Sequence, residues 1–287
     1  MRFSQRIGKK PATKSIQLEA IDEDLFNGLW NMVKIFVLDR IPKYSQYGSK
    51  ATEFDHFSNI LWHKFYKLPI DTIPEYDFQT EKFIRDRFFK GQWYDIYDFI
   101  EFLASLEFPS VNTHDFIEAV NNLLEREFSA YRFIDGKIAP ISNKIEVEEI
   151  QQSLDQVNYF TSLSGANIHL TNALDKLSDR KNPDYRNSIK ESISAIETTC
   201  RVLTGESTLG KALNSLESKG IKIDDQLKSG FDKIYAFTNN KQSGIRHAII
   251  EEHKNPDFDD AKYMLVVCSS FINYLVGKCK TLGIKIK

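Results

Sequence analysis

The sequence predicts an all-α protein, with an N-terminal helical domain ending in a short β-hairpin and a second helical domain after it. Three observations carry this. Apolar residues recur at three- and four-residue steps along most of the 287 residues. Asp, Asn, Ser or Thr precede many of these runs, and Gly or Pro follow them. At Tyr131-Arg132-Phe133-Ile134-Asp135-Gly136-Lys137-Ile138-Ala139-Pro140-Ile141 the period shifts to two around an Asp-Gly pair, a strong hairpin signal.

The elements follow in order. Residues 16–40 read as a helix with Leu25, Leu29, Met32, Val33 and Phe36 on one face, behind the acidic turn Asp22, Glu23 and Asp24. Residues 51–67 repeat the pattern with Phe54, Phe57, Ile60, Leu61 and Phe65, until Pro69 and Pro74 break the chain. Two aromatic-rich helices occupy 78–90 and 92–106, and another opens at Thr113 and ends near Phe128. After the hairpin, Ser142 is expected to cap a helix from Ile145 to Leu154. Helices follow over 160–178, from Asp184 with Ile189, Ile193, Ile196 and Cys200 on one face, over Thr208–Glu217, and over Asp224–Phe237. The polar loop Asn239 to Gly244 leads into an Arg-His segment that Asn255-Pro256 stops. Asp257 to Lys280 forms the last and most apolar helix. The domain boundary falls just past the hairpin, giving domains 1–145 and 146–287.

Composition narrows the function classes. The chain is 41% hydrophobic, 13% aromatic and 27% charged, as in a folded globular protein. Its net charge is -2, with both signs spread evenly over the two halves, so it is no bulk nucleic-acid binder. Cys200, Cys268 and Cys279 have no C-x-x-C spacing and read as small core residues in a reducing compartment. The start, Met1-Arg2-Phe3-Ser4-Gln5-Arg6, has no apolar signal-peptide core, and no apolar run is long enough to span a membrane. A cytoplasmic location without membrane contact is expected.

The residues richest in chemistry are Gly244-Ile245-Arg246-His247-Ala248 and His253. Arg246 and His253 are close to two helical turns apart, so both project from one face of a helix. Arg offers a planar fork to phosphate oxygens, and His titrates near neutrality. That pairing suits RNA cleavage without metal, although a solvated, charged helix end predicts the same letters. Glu197, on the helix that also bears Arg186, is a candidate to orient Arg246 or a His from behind, or a plain surface carboxylate.

Other motifs read more simply as structure. Gly205 to Ala212 mimics a phosphate-binding loop, but Ala212 replaces the hydroxyl residue and a helix, not a strand, precedes it. Gly205 as a helix stop and Ser207 or Thr208 as a helix start account for it. His56 and His63 lie seven apart on one helix with no third ligand, so they read as partly buried helix residues, not a metal site. His114 suits a helix start and His169 stands alone. The Phe83 to Lys90 stretch reads as an amphipathic helix packing its Phe residues inward, with nucleic-acid stacking as the alternative. Arg2, Arg6, Lys9, Lys10 and Lys14 form a basic arm. No cofactor and no metal is expected.

The blocks Phe3-Ser4-Gln5-Arg6-Ile7-Gly8-Lys9-Lys10-Pro11, Ile16-Gln17-Leu18, Leu29-Trp30-Asn31 and the Tyr131-Arg132-Phe133 hairpin resemble the AbiJ N-terminal domain 4 family of abortive infection proteins. Residues 146–287 resemble a HEPN-type domain through Tyr185 to Ile193, Thr208-Leu209-Gly210, Gly244 to Ala248, and Ala261-Lys262 leading into Cys268-Ser269. The resemblance implies an up-and-down four-helix bundle that works as a homodimer. It also implies a metal-independent endoribonuclease, with Arg246 as the motif Arg, His247 as its polar residue, and His253 at the long limit of the motif's His spacing. Either His247 or His253 is then the working His. Glu197 and Arg186 are supporting candidates. The implied partners are RNA as substrate, a second copy of the chain, and a phage-derived trigger or an antitoxin. The alternative is a non-catalytic HEPN module that dimerises and binds a phage component or partner protein.

Overall fold

The structure is a computed structural model that describes residues 3, 16–43, 51–179, 182–239 and 255–286. It divides into two compact units, Met1–Ser142 and Asn143–Lys287. The chain is all-α with one short hairpin.

In the first unit, α1 (Glu23–Val33) starts at Asp22, whose carboxylate accepts the Leu25 N–H at 2.9 Å. The helix does not begin at 16, as periodicity predicts, because Gln17 is held elsewhere. Its backbone N–H donates to Phe128 O at 2.9 Å, and its carbonyl accepts the Ala130 N–H at 3.0 Å. Its side chain donates to Glu127 O and accepts the Asp22 N–H, both at 2.6 Å. Those bonds pull residues 16–21 out of helical geometry.

A π-helical turn, Lys34–Leu38, continues α1, and a second, Leu61–Tyr66, continues α2 (Glu53–Ile60). A π turn holds more residues than an α turn and rotates the buried face. Leu25, Leu29 and Val33 are buried as expected, but Val37 and Leu38 then join the core while Met32 and Phe36 are half-buried. Thr52 and Asp55 form a capping box at the start of α2, and Lys67 ends its π turn in the left-handed region, φ 53°. Then come α3 (Asp77–Lys90), α4 (Trp93–Ala104) and α5 (Thr113–Arg126), the last capped by Asn112.

Phe83, Phe88 and Phe89 of α3 pack inward, against Trp62 at 4.7 Å and against Phe26 at 5.3 and 5.1 Å between ring centroids. The structural reading of that stretch therefore holds. The hairpin pairs β1 (Arg132–Ile134) with β2 (Lys137–Ala139), and Ile134 faces Lys137. Asp135 and Gly136 turn between them at φ 50° and 73°, the positive pair that a two-residue hairpin turn needs. Asn121 of α5 anchors β1 by exchanging two bonds with the Phe133 backbone, at 2.7 and 3.0 Å.

In the second unit, α6 (Lys144–Tyr159) is capped by Asn143, not Ser142, because the Asn143 carboxamide oxygen reaches the Ile145 and Glu146 N–H groups. A 3-10 turn, Thr161–Leu163, precedes α7 (Ser164–Ser178). Asp184 caps α8 (Tyr185–Thr204), and Gly205 closes it at φ 83°. The short α9 (Leu209–Ser215) and α10 (Asp225–Asn239) precede α11 (Phe258–Thr281).

Helices α6, α7, α8 and α11 pack as a four-helix bundle. Helices α7 and α8 are antiparallel: the Ser188 hydroxyl donates to Ala173 O at 2.8 Å, and His169 meets Glu191 nearer the start of α7. Helix α11 runs the same way as α8, with Tyr185 and Phe258 in ring contact at their first turns. The chain through α9 and α10 thus returns to the end where α8 began. Ile150, Leu154, Leu170, Leu174, Ile189, Ile193, Ile196, Leu265, Ile272 and Leu275 fill the centre, each at most 1% exposed. Each such side chain contributes about 1.5–3 kcal/mol by leaving water. Among the described residues no helix is long and apolar enough to cross a membrane.

Candidate functional site

Arg246, His247 and His253 lie outside the described residues, as does the basic arm of Arg2, Arg6, Lys9, Lys10 and Lys14. The flanks of the Arg-His segment are described. On its N-terminal side Thr238 is fully buried near the end of α10, and its hydroxyl donates to Tyr235 O at 2.8 Å. On its C-terminal side Asp257 and Asp260 exchange backbone N–H bonds at 3.0 and 3.1 Å. That capping box fixes where α11 starts, one residue after the Pro256-Asp257 step.

Both supporting candidates lie on α8. Eleven positions separate Arg186 from Glu197, which is about 16 Å of helix and close to three turns. They share a face but stand too far apart to grip one group together. Glu197 is half-buried and accepts a hydrogen bond from the Tyr235 hydroxyl at 3.0 Å. It therefore ties α8 to α10 just ahead of the Arg-His segment and is no plain surface carboxylate. Arg186 sits in the first turn of α8, beside the capping Asp184. Burial pushes the Asp184 carboxyl up, but bonds from the Asn187 side chain and backbone, with the Lys176 and Arg186 charges, outweigh it and hold the carboxyl below its usual range.

His169 does not stand alone. Its Nδ1 lies 2.7 Å from Oε2 of Glu191, across the antiparallel α7–α8 contact. Both side chains are largely sheltered, 34% and 18% exposed. The carboxylate fixes the ring's orientation and leaves Nε2 as the second functional nitrogen. Twenty-two positions separate the two residues, and neither stretch of sequence carries a sign of the pairing; only the helix register creates it.

The remaining candidates are structural. Gly205 donates its N–H to Arg201 O at 2.7 Å as a helix stop, and Thr208 stands at the start of α9 without a side-chain cap bond. His56 and His63 are exposed rather than partly buried, because α2 and the π turn after it face Phe54, Phe57, Leu61 and Trp62 inward. Cys200, Cys268 and Cys279 are free and buried. Burial, with the Glu197 charge second, pushes the Cys200 thiol up to about 12. Among the described residues no three His, Cys, Asp or Glu side chains are placed to hold a metal ion.

Fold and frame define an all-α protein of two units, the second built on a helical bundle that leads into an Arg-His segment. Residues 1–156 match the family described as AbiJ N-terminal domain 4, and the chain belongs to that family. It is thus related to abortive infection proteins. The match covers the first unit and most of α6. No curated protein and no solved structure matches the chain.

Proposed function

We propose that the chain is a metal-independent endoribonuclease of bacterial abortive infection, cutting RNA through a HEPN-type domain, residues 146–287, that acts as a homodimer. One observation carries the reading: in the sequence, Gly244-Ile245-Arg246-His247-Ala248 falls between α10 and α11, the last helix of a four-helix bundle. Family membership supports the biological setting.

The chemistry needs no cofactor. A His of the site, His247 or His253, takes the proton of an RNA 2′-hydroxyl. The freed oxygen attacks the adjacent phosphorus, and the bond to the 5′-oxygen breaks. A second His, from the same or the partner subunit, protonates that leaving oxygen. Arg246 neutralises the charge that builds on the phosphorane. The products are a 2′,3′-cyclic phosphate and a 5′-hydroxyl end. Arg246 and the proton-transferring His each supply a rate factor of roughly a hundred or more.

The first unit is the sensing part of this proposal. Tyr76 and Phe78, 56% and 68% exposed, stack with centroids 5.9 Å apart on its surface and offer aromatic anchors to a phage-derived trigger or an antitoxin. The test is incubation of the purified chain with total RNA in chelator. Cleavage that disappears in Arg246→Ala supports the reading. Intact RNA, from a protein that still protects cells against phage, replaces it with a non-catalytic dimerisation and binding role.

A further inference from the structure

The stretch Pro69 to Glu81 carries the carboxylates Asp71, Glu75, Asp77 and Glu81 and no Lys, Arg or His. Tyr76 and Phe78 stand on its surface as a stacked pair, ring centroids 5.9 Å and planes 27° apart, and Ile70 is 50% exposed. Exposed aromatic rings with a polar rim mark an interaction face. The loop that presents them is held in shape. The Thr72 hydroxyl accepts the Trp62 indole N–H at 3.2 Å and donates to Pro69 O at 2.6 Å, and Tyr76 O accepts the Gln79 and Thr80 N–H groups at 2.9 and 3.1 Å. A preformed face loses little freedom on binding.

Its charge is unbalanced. Glu81 pairs with Lys34 at 3.4 Å and with Lys43. Among the described residues Asp71, Glu75 and Asp77 have no ion-pair partner. Burial, with the Asp55 charge second, pushes the Asp77 carboxyl up, and the opposing Lys43 charge is the one already committed to Glu81. The face thus calls for cations with an apolar or flat side chain beside them.

One segment of the same chain has that character. Residues 1–18 hold Arg2, Arg6, Lys9, Lys10 and Lys14 and no carboxylate side chain. Phe3, the one described residue before Ile16, is 68% exposed. Gln17, bonded through its backbone to Phe128 and Ala130, pins the base of this arm. Phe26 meets Phe88 and Phe89 while Lys34 meets Glu81, so α1 and α3 run antiparallel and the acidic face lies toward the far end of α1. Asp22 to Lys34 is about 18 Å of helix. The chain from Gln17 back to Arg6 spans up to about 36 Å when extended, so the arm reaches the face.

We infer that this arm docks on the Tyr76–Phe78 face of its own chain, with its Arg and Lys side chains on Asp71, Glu75 and Asp77 and its Phe3 and guanidinium groups against the two rings. The first unit already uses that chemistry, laying Arg85 over Phe89 at 4.7 Å and Arg87 over Tyr66 at 5.4 Å. The sensing role proposed above gives the same two rings to a trigger; on that reading the trigger must displace the arm.

Carbodiimide coupling of the full chain tests the docking with neither trigger nor RNA present. The reagent joins an amine to a carboxylate only where the two are in contact. Wild type and Arg6→Lys are treated, digested and analysed by mass spectrometry. The expected amides run from Lys9, Lys10 or position 6 of the variant to Asp71, Glu75 or Asp77. Tyr76→Ala combined with Phe78→Ala lowers their yield at least about fivefold, as does high salt. Both rings are exposed, and far-ultraviolet circular dichroism checks that the double variant folds. No amide between arm and face, arm amides chiefly to other carboxylates, or a yield that the double variant leaves unchanged overturns the inference. So do amides that, in a mixture of isotope-labelled and unlabelled chains, join one kind to the other, since these place the arm on a second copy.

Discussion

The Tyr235 hydroxyl donates to the Glu197 carboxylate across 3.0 Å, joining α10 to α8 immediately before the Arg246 segment. Charge-assisted bonds of this kind contribute about 1.5–3 kcal/mol. Tyr235→Phe is therefore expected to lower stability by that amount, read as a shift in the urea midpoint. Glu197→Ala costs more, since it leaves the half-buried hydroxyl without this acceptor. The double variant loses less than the sum of the two singles.

Asp184 gives a pH-dependent prediction. Its side chain accepts the Asn187 N–H at 3.1 Å and the Asn187 amide at 2.7 Å, capping α8. Asp184→Ala is expected to cost about 1 kcal/mol at neutral pH. The folded carboxyl is held below its ordinary value, so its contribution is complete above that ordinary value and is lost as pH falls through the folded value. The gap between wild type and variant in urea unfolding should therefore be full at neutral pH and shrink in acid. A gap that grows in acid contradicts the assignment.

Gly28 is a packing contact between α1 and α5. A Cβ built there would stand 2.7 and 2.9 Å from the two Leu123 methyl carbons and 3.3 Å from its branch carbon, and Leu123 is only 2% exposed. Leu123 must shift to make room, and its burial puts that shift against the surrounding core. Overpacking costs about 1–3 kcal/mol, while the helix propensity of Ala returns about 1. Gly28→Ala is expected to destabilise the first unit by about 1 kcal/mol net. In a Leu123→Ala background the same change should become neutral or stabilising.

The cysteines should resist thiol reagents. Cys200 and Cys268 have no exposed surface, and burial raises both thiols well above neutral pH. Because the thiolate is the reactive species, labelling at neutral pH should proceed at the rate of unfolding. Rapid labelling of Cys200 in the folded protein would contradict its burial against the bundle.

Helix existence was legible because long stretches such as Ile189, Ile193, Ile196 and Cys200 keep one period from end to end. Boundaries were less legible where a distant group decides them. Residues 16–21 carry no local mark against a helix, since it is Phe128 and Ala130, over a hundred positions on, that hold Gln17. The π turns at Lys34–Leu38 and Leu61–Tyr66 were invisible for another reason: an apolar run looks alike with three, four or five residues between contacts. The site divided in the same way. Glu197 was legible as a carboxylate beside Ile193, Ile196 and Cys200, whereas its partner Tyr235 and the His169–Glu191 pair arise from how separate helices register against each other.

His247 and His253 are to be told apart by single substitution. The working His, replaced by Ala, should lower the cleavage rate by about a hundredfold or more, and the other should matter far less. Equal, small effects in initial-rate measurements would remove both from proton transfer.

The central claim is tested most directly by incubating the purified chain with total RNA in excess chelator, beside Arg246→Ala. The account predicts that the wild type leaves fragments ending in 2′,3′-cyclic phosphate, and that the variant cleaves at least about a hundredfold more slowly while keeping its helical content. Cleavage by Arg246→Ala at the wild-type rate, or none by either protein, would contradict it.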